Sequence, residues 1–284
     1  MDDDLAHLAI IGALEEAEID NLIPRRLFHV RDNPFETLND AKFIKTFRLS
    51  KPMVLDLCNI VEPFIAAPSR TSALDVLTAL NFYGYGSYQL NVGQNVNTAI
   101  SQPSICDPKL KILNVCARFP GSSHDSFIWN NSNAHTFMVN LHERGHRSFF
   151  LLGDSGYPLR SYLLTPCNDA VPDSPEDRYN IAQRRIRSII ERCNGVLKLR
   201  FRFLLKHRML HYSPEKLSKI INAATVLHNM CIDANLPNVV EEPGDLDLDF
   251  GMYEADINLH MLQGRNPLNE GRRQRNYIIR TRFQ

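Results

Sequence analysis

Two short apolar runs in the middle of the chain, residues 109–118 and 149–152, each end at a glycine that an acid follows closely. The first (KLKILNVCAR) closes at Phe119-Pro120-Gly121 and leads to Asp125; the second closes at Gly153 and leads directly to Asp154. Runs this short, bounded by turn residues, predict buried β-strands. Helix signals alternate with them. Residues 122–141 can be helical. Ser174-Pro175-Glu176-Asp177 combines a cap, a proline at the first helical position and acids in the first turn, and Ser213-Pro214-Glu215 repeats the pattern. Past the first start, Ile186, Ile190, Cys193, Leu197 and Leu204 share one helical face; past the second, Leu217, Ile220, Ala224 and Leu227 do. Strands alternating with helices predict an α/β fold.

The flanks read differently. Residues 1–34 form an arm, with Leu5, Leu8, Ile11 and Leu14 at helical spacing ahead of an acidic stretch and Pro24. Residues 35–104 predict short helices. Asp40 can cap one carrying Phe43, Ile44 and Phe47, Ser50 with Pro52 opens one carrying Val54, Leu55, Cys58 and Val61, and Ser72 with Asp75 has capping-box spacing. A turn at Gly84-Tyr85-Gly86-Ser87 then separates this helix from a weak one around Val92–Val96, so the region is helix-turn-helix-like. Residues 234–284 make an acidic linker followed by a basic tail with Arg265, Arg272, Arg273, Arg275, Arg280 and Arg282. The two halves can pair internally, or the tail can touch phosphate.

Lysine plus arginine and aspartate plus glutamate are both 32, so the net charge is zero and any nucleic-acid contact must be a local patch. No apolar run approaches the ~20 residues of a membrane-spanning helix. Asp2, Asp3 and Asp4 stand where a secretory leader would be basic, so the expectation is a soluble intracellular chain. The six cysteines form no CxxC pair and are expected to be reduced and mostly buried.

Three acids stand out by position: Asp125 and Asp154 just after strands, and Glu191 one position past the apolar stripe of a helix. Carboxylates at the carboxyl ends of neighbouring strands converge on one sheet edge, and their hard oxygens suit Mg²⁺ or Mn²⁺. Each also has a structural reading. Asp125 can complete a capping box with Ser122, Asp154 can form a turn beside Gly153, and Glu191 can pair with Arg187 one turn earlier.

Asn114-Val115 with the run Arg118-Phe119-Pro120-Gly121-Ser122-Ser123-His124-Asp125-Ser126-Phe127-Ile128-Trp129 resembles a motif of PIF/Harbinger transposases and the domesticated Harbinger transposase-derived nucleases. Leu151-Leu152-Gly153-Asp154-Ser155-Gly156-Tyr157-Pro158 resembles their next motif, and residues 187–201 resemble the helix bearing their final glutamate. The 212–229 stretch ending Leu227-His228-Asn229 and residues 271–275 fit as well. The resemblance implies an RNase H-like DDE nuclease domain over residues 105–233. It implies Asp125, Asp154 and Glu191 as catalytic metal ligands for Mg²⁺ or Mn²⁺, and two-metal hydrolysis of DNA phosphodiesters. It also implies a Myb-like DNA-binding partner protein and residence in nucleus and cytoplasm.

One departure stands against it. The family's first catalytic aspartate lies in a Gly-x-x-Asp-x-x-His segment between the helical region and the strand pair, and no such segment occurs in this chain. Residues 100–104 run directly into Ile105-Cys106-Asp107-Pro108, as a skipped exon would leave them. The implied fold therefore lacks its first, central strand, and the flanking strands have nothing to join them. Asp107 is expected in a turn at the far end of the 109–118 strand from Asp125. A catalytically inactive derivative that keeps a nucleic-acid- or protein-binding surface is the alternative function.

Overall fold

The computed structural model describes residues 33–65, 72–85, 104–119, 123–205, 212–238 and 267–284. The expected helix of the arm, the helix around Val92–Val96 and most of the acidic linker lie outside the described residues.

Four helices come first: α1 (Pro34–Thr37), α2 (Asp40–Phe47), α3 (Lys51–Val61) and α4 (Ser72–Tyr85). Asn39, not Asp40, caps α2, its side-chain oxygen accepting from the Lys42 N–H at 2.9 Å. Asp40 falls in the first turn, where its charge favours the helix N-terminus. In α3 the inward face is Val54, Leu57, Cys58 and Val61, and Leu55 points to solvent. Gly84 and Tyr85 belong to α4, not to a turn. Gly84 is there for close approach: a Cβ on it would lie 3.1 Å from both Arg48 Nε and the Thr46 carbonyl oxygen. Arg48 ends α2 in the left-handed conformation, and its guanidinium donates to the Gly84 carbonyl at 2.9 Å.

The strands are short and form two separate pairs. Strand β1 (Ser104–Cys106) pairs antiparallel with β2 (Ile112–Val115), and β3 (Leu151–Leu152) pairs parallel with β4 (Leu163–Leu164). Among the described residues no strand joins the two pairs. The expected 109–118 strand is thus reduced to four residues, because residues 107–110 form the hairpin turn. Asp107 builds that turn, its carboxylate accepting from the N–H groups of Lys109 and Lys111 at 2.8 and 2.9 Å.

Between the pairs lie α5 (Asp125–Asn130) and α6 (Asn133–Glu143), one expected helix split in two where Ser132 caps the second. Then follow α7 (Pro175–Arg200) and α8 (Pro214–Asp233), begun by Ser174 and Ser213 as their sequence signals predict. The last element is α9 (Pro267–Arg282), so the basic tail is a helix, packed on α7 and β4.

The main core unites the N-terminal helices with α7 and α8. Phe43, Phe47, Leu57, Leu80 and Tyr83 meet Leu197, Phe201, Phe203, Ile220 and Leu227 in one cluster that also takes in Ile112 of β2. A second cluster, Trp129, Ala134, Met138, Tyr162 and Leu163, lies under α5, α6 and β4. All six cysteines are free thiols, four of them buried. No helix among the described residues is long and apolar enough to cross a membrane.

Helix α8 grips the hairpin. The Asn229 side chain accepts from the Ile112 N–H and donates to the Ile112 carbonyl, both at 2.8 Å, in the manner of a neighbouring strand. His228 Nε2–H donates to the Leu110 carbonyl at 2.8 Å, and the Cys193 thiol donates to the same oxygen at 3.2 Å. Leu110 has φ +69°, a conformation a bulky L-residue adopts at a cost of roughly 1–2 kcal/mol, so these bonds hold the turn in place.

Burial holds His228 below the usual imidazole range, the nearby Arg200 charge adding to it against the opposing Leu110 bond. The unfolded chain therefore takes up this proton near its ordinary pKa of about 6.5 before the folded chain does. Stability is full above that pH and falls as the pH drops through it. His228→Gln, which keeps a donor for Leu110 but does not titrate, is expected to lose less of its thermal midpoint than the parent between about pH 7.5 and 5.5. Paired unfolding curves at the two pH values check this.

Candidate active site

Asp125 is the first residue of α5, after His124 as N-cap. That register rules out the capping box in which Asp125 would be the third helical residue; Ser122 itself lies outside the described residues. Asp154 follows β3 by two residues, and its Oδ1 accepts from the Gly156 N–H at 2.9 Å. Asp154 does form a turn, but only one of its oxygens is used for it. Oδ2 receives the Arg187 guanidinium of α7 at 3.2 Å.

Gly156 lies between the two carboxylates. A Cβ placed on it would stand 3.0 Å from Asp154 Oδ1 and 3.4 Å from Asp125 Oδ2. Asp125 and Asp154 thus flank one point from two different elements. Both line a cavity of about 420 Å³ bounded by the β1–β2 hairpin, β3, α5 and α7. Its walls are otherwise largely apolar, with Ile105, Ile128, Trp129, Leu152, Ile186 and Ile190 among them.

The charges respond to this crowding. Burial pushes the Asp125 carboxyl above the usual carboxylate range, and the Asp154 charge pushes the same way, opposed by Arg187 and His124. Tyr157 is raised as well, by burial and then by Asp125 and Asp154, so its phenol stays protonated beside them. The Arg187–Asp154 pair is about a quarter to a third exposed on its two sides. Screening at that exposure limits its worth to about 1 kcal/mol or less.

Glu191 does not join the pair. Among the described residues no group of three or more His, Cys, Asp or Glu side chains is placed to hold a metal ion. The expected three-acid cluster is therefore a pair. Ile186, Arg187, Ile189, Ile190 and Asn194 of α7 line the cavity, and Glu191 is not among the lining residues. The Arg187 side chain goes to Asp154, so Arg187 is not Glu191's partner here.

Two residues of α7 set the geometry: Gln183, which sequence reasoning misses, and Arg187, which it gives a different partner. Gln183 donates to the Gly153 carbonyl at 2.7 Å, and Arg187, one turn on, holds Asp154. Their spacing of four residues beside an apolar stripe is the available signal. Asn194, two turns further, accepts from the Ser104 hydroxyl at 3.1 Å and ties α7 to the hairpin edge.

Two substitutions test this electrostatic arrangement with opposite signs. Asp154→Asn is expected to lower the Asp125 midpoint toward the ordinary range, and Arg187→Gln to raise it further. Side-chain carboxyl titration by ¹³C NMR measures both.

The family model for the DDE superfamily endonucleases matches residues 81–229, just over half of the chain, and covers both acids, Gln183, Arg187 and Asn229. A Xenopus laevis protein named "Putative nuclease HARBI1" is 33% identical over 182 residues, 63% of this chain and 48% of that protein. The Homo sapiens protein of the same name is 38% identical over 132 residues, 45% of this chain and 36% of that protein. An Arabidopsis thaliana "Protein ALP1-like" is 26% identical over 157 residues, 52% of this chain and 38% of that protein. The chain spans about half the length, or less, of these curated relatives. No solved structure matches it significantly. The chain belongs to the DDE superfamily endonucleases, in the Harbinger transposase-derived group.

Proposed function

We propose that this chain is a divalent-metal-dependent nuclease that hydrolyses DNA phosphodiester bonds, with Asp125 and Asp154 as the ligands of Mg²⁺ or Mn²⁺. The observation that carries the reading is the carboxylate pair itself. Two acids from separate elements flank one point in a cavity, and the charge of Asp154 makes Asp125 less comfortable as an anion. Hard oxygen donors in that number suit a magnesium-sized ion, which commonly takes one or two carboxylates and completes its shell with water and phosphate. A cation bound there would polarise a phosphoryl oxygen and lower the pKa of a water molecule. The chain's own residues do the positioning. Arg187 fixes one oxygen of Asp154, the Gly156 N–H fixes the other, and Gln183 steadies the loop at Gly153.

The reading leaves Glu191 outside the coordination set and supplies carboxylates for one ion. Two-ion displacement needs more ligands than the pair provides, so hydrolysis by this chain is slow. The family resemblance implies a separate Myb-like DNA-binding partner for target choice, and nucleus and cytoplasm as the place of action belong to the same proposal. The second reading, a non-catalytic nucleic-acid- or protein-binding derivative, is favoured by one observation, the lack of a three-carboxylate group among the described residues.

Nicking of supercoiled plasmid in Mg²⁺ or Mn²⁺ separates the two. Slow nicking that Asp154→Asn abolishes is expected, with a rate at least about a hundredfold below that of a version with a Gly-x-x-Asp-x-x-His segment inserted before the hairpin. Identical residual activity in the parent and Asp154→Asn would favour the second reading.

A further inference from the structure

A nuclease site built from two carboxylates repels the phosphates it must receive. Binding energy has to come from cations elsewhere, and α9 carries several. Its inner face is fixed at three levels. Gly271 is pressed so closely on Arg160 that a Cβ would lie 3.0 Å from that backbone. Arg275 donates to the carbonyls of Thr165 and Pro166 at 3.2 and 2.7 Å, and Ile279 is buried. Beyond the helix, the Phe283 ring packs on Tyr179 and its carbonyl accepts from Arg178 Nε at 2.9 Å.

That anchoring decides what faces outward. Arg273, Tyr277 and Arg280 follow at intervals of four and three residues and form one stripe opposite the buried face, with Arg272 on the flank about 100° around from Arg273. All four side chains are exposed. Among the described residues no acid forms an ion pair with Arg272, Arg273 or Arg280. The stripe spans seven residues, roughly 10 Å along the helix axis. Over that length duplex DNA presents on the order of six phosphate charges. Its placement suits the site. Arg275 is bonded just past the carboxyl end of β4, and β3, parallel to β4, runs at its own carboxyl end into Asp154. The Arg275 anchor of the charged helix and the acid therefore stand at the same end of the β3–β4 pair.

We infer that the outer face of α9, Arg272, Arg273, Tyr277 and Arg280, binds the phosphate backbone of duplex DNA and holds it beside the Asp125–Asp154 pair. The inference rests on the nuclease reading for its orientation, but binding by this face is measurable without cleavage. An acidic protein as occupant is the competing possibility, and it makes a different prediction for DNA.

The test uses the full chain carrying Asp154→Asn, with no divalent metal, so that chemistry plays no part. Fluorescence anisotropy with a short mixed-sequence DNA duplex gives the slope of log K against log salt between about 50 and 200 mM. Replacing Arg272, Arg273 and Arg280 together by Gln is expected to flatten that slope by about 3, close to one per cation lost. The thermal midpoint should not move, because these exposed side chains form no ion pair among the described residues. A control with Lys42, Lys45 and Arg144, also exposed, changed to Gln should keep the parental slope. An unchanged slope in the α9 variant overturns the inference and is the result an acidic protein occupant would give. Equal flattening in the control overturns it too, since any surface charge would then serve. Absence of plasmid nicking by the parent chain in Mg²⁺ or Mn²⁺, with DNA binding by this face intact, would count against the nuclease reading and leave this one standing.

Discussion

The Asn229 carboxamide, bonded to both backbone groups of Ile112, is the interaction on which the rest of the site depends. A two-stranded hairpin is marginal by itself in water. Here its outer edge is finished by a side chain, and the neighbouring His228 holds the carbonyl of Leu110 in a conformation that leucine does not favour. Both residues sit on one turn of α8, whose opposite contacts run into the main core through Ile220, Ala224 and Leu227. The hairpin is thus fastened to the main core of the molecule, and its free edge, Ser104–Cys106, is turned to the cavity. The Leu227-His228-Asn229 triplet therefore acts structurally, by placing the wall opposite β3.

The acids are arranged by a second fastening. Helix α7 crosses the end of β3 and sends Gln183 to a backbone oxygen and Arg187 to a carboxylate. Without Arg187, Asp125 and Asp154 would face each other in a partly buried setting with little to offset their repulsion. With it, the pair carries a net charge of about one unit of negative sign, which leaves room for a cation's field to add stabilisation. The same arrangement makes the site poor at attracting phosphate, and the basic helix α9, anchored by Arg275 just past β4, carries the opposite sign.

What is legible in the sequence follows the range of the interactions responsible. The starts of α7 and α8 are legible because Ser174 and Ser213 bond to N–H groups three residues on, within the sequence window that announces them. The approach of Asp125 to Asp154 is legible because each follows a strand-like run. Strand β4 is not, since two leucines gain strand character only from β3, a partner outside any local pattern. Gly84 mimics a turn residue for the same reason: its smallness answers to Arg48, distant in sequence. Glu191 groups with the acids on its nearness to the apolar stripe, but it does not line the cavity, and Arg187, one turn earlier, reaches Asp154 instead.

The direct test of the two-carboxylate site is the stoichiometry of Mn²⁺ binding, followed by the loss of the free-ion electron paramagnetic resonance signal. One ion per chain is predicted, lost in Asp125→Asn and in Asp154→Asn and retained in Glu191→Gln. Abolition of binding by Glu191→Gln, or binding that survives both aspartate substitutions, would contradict it.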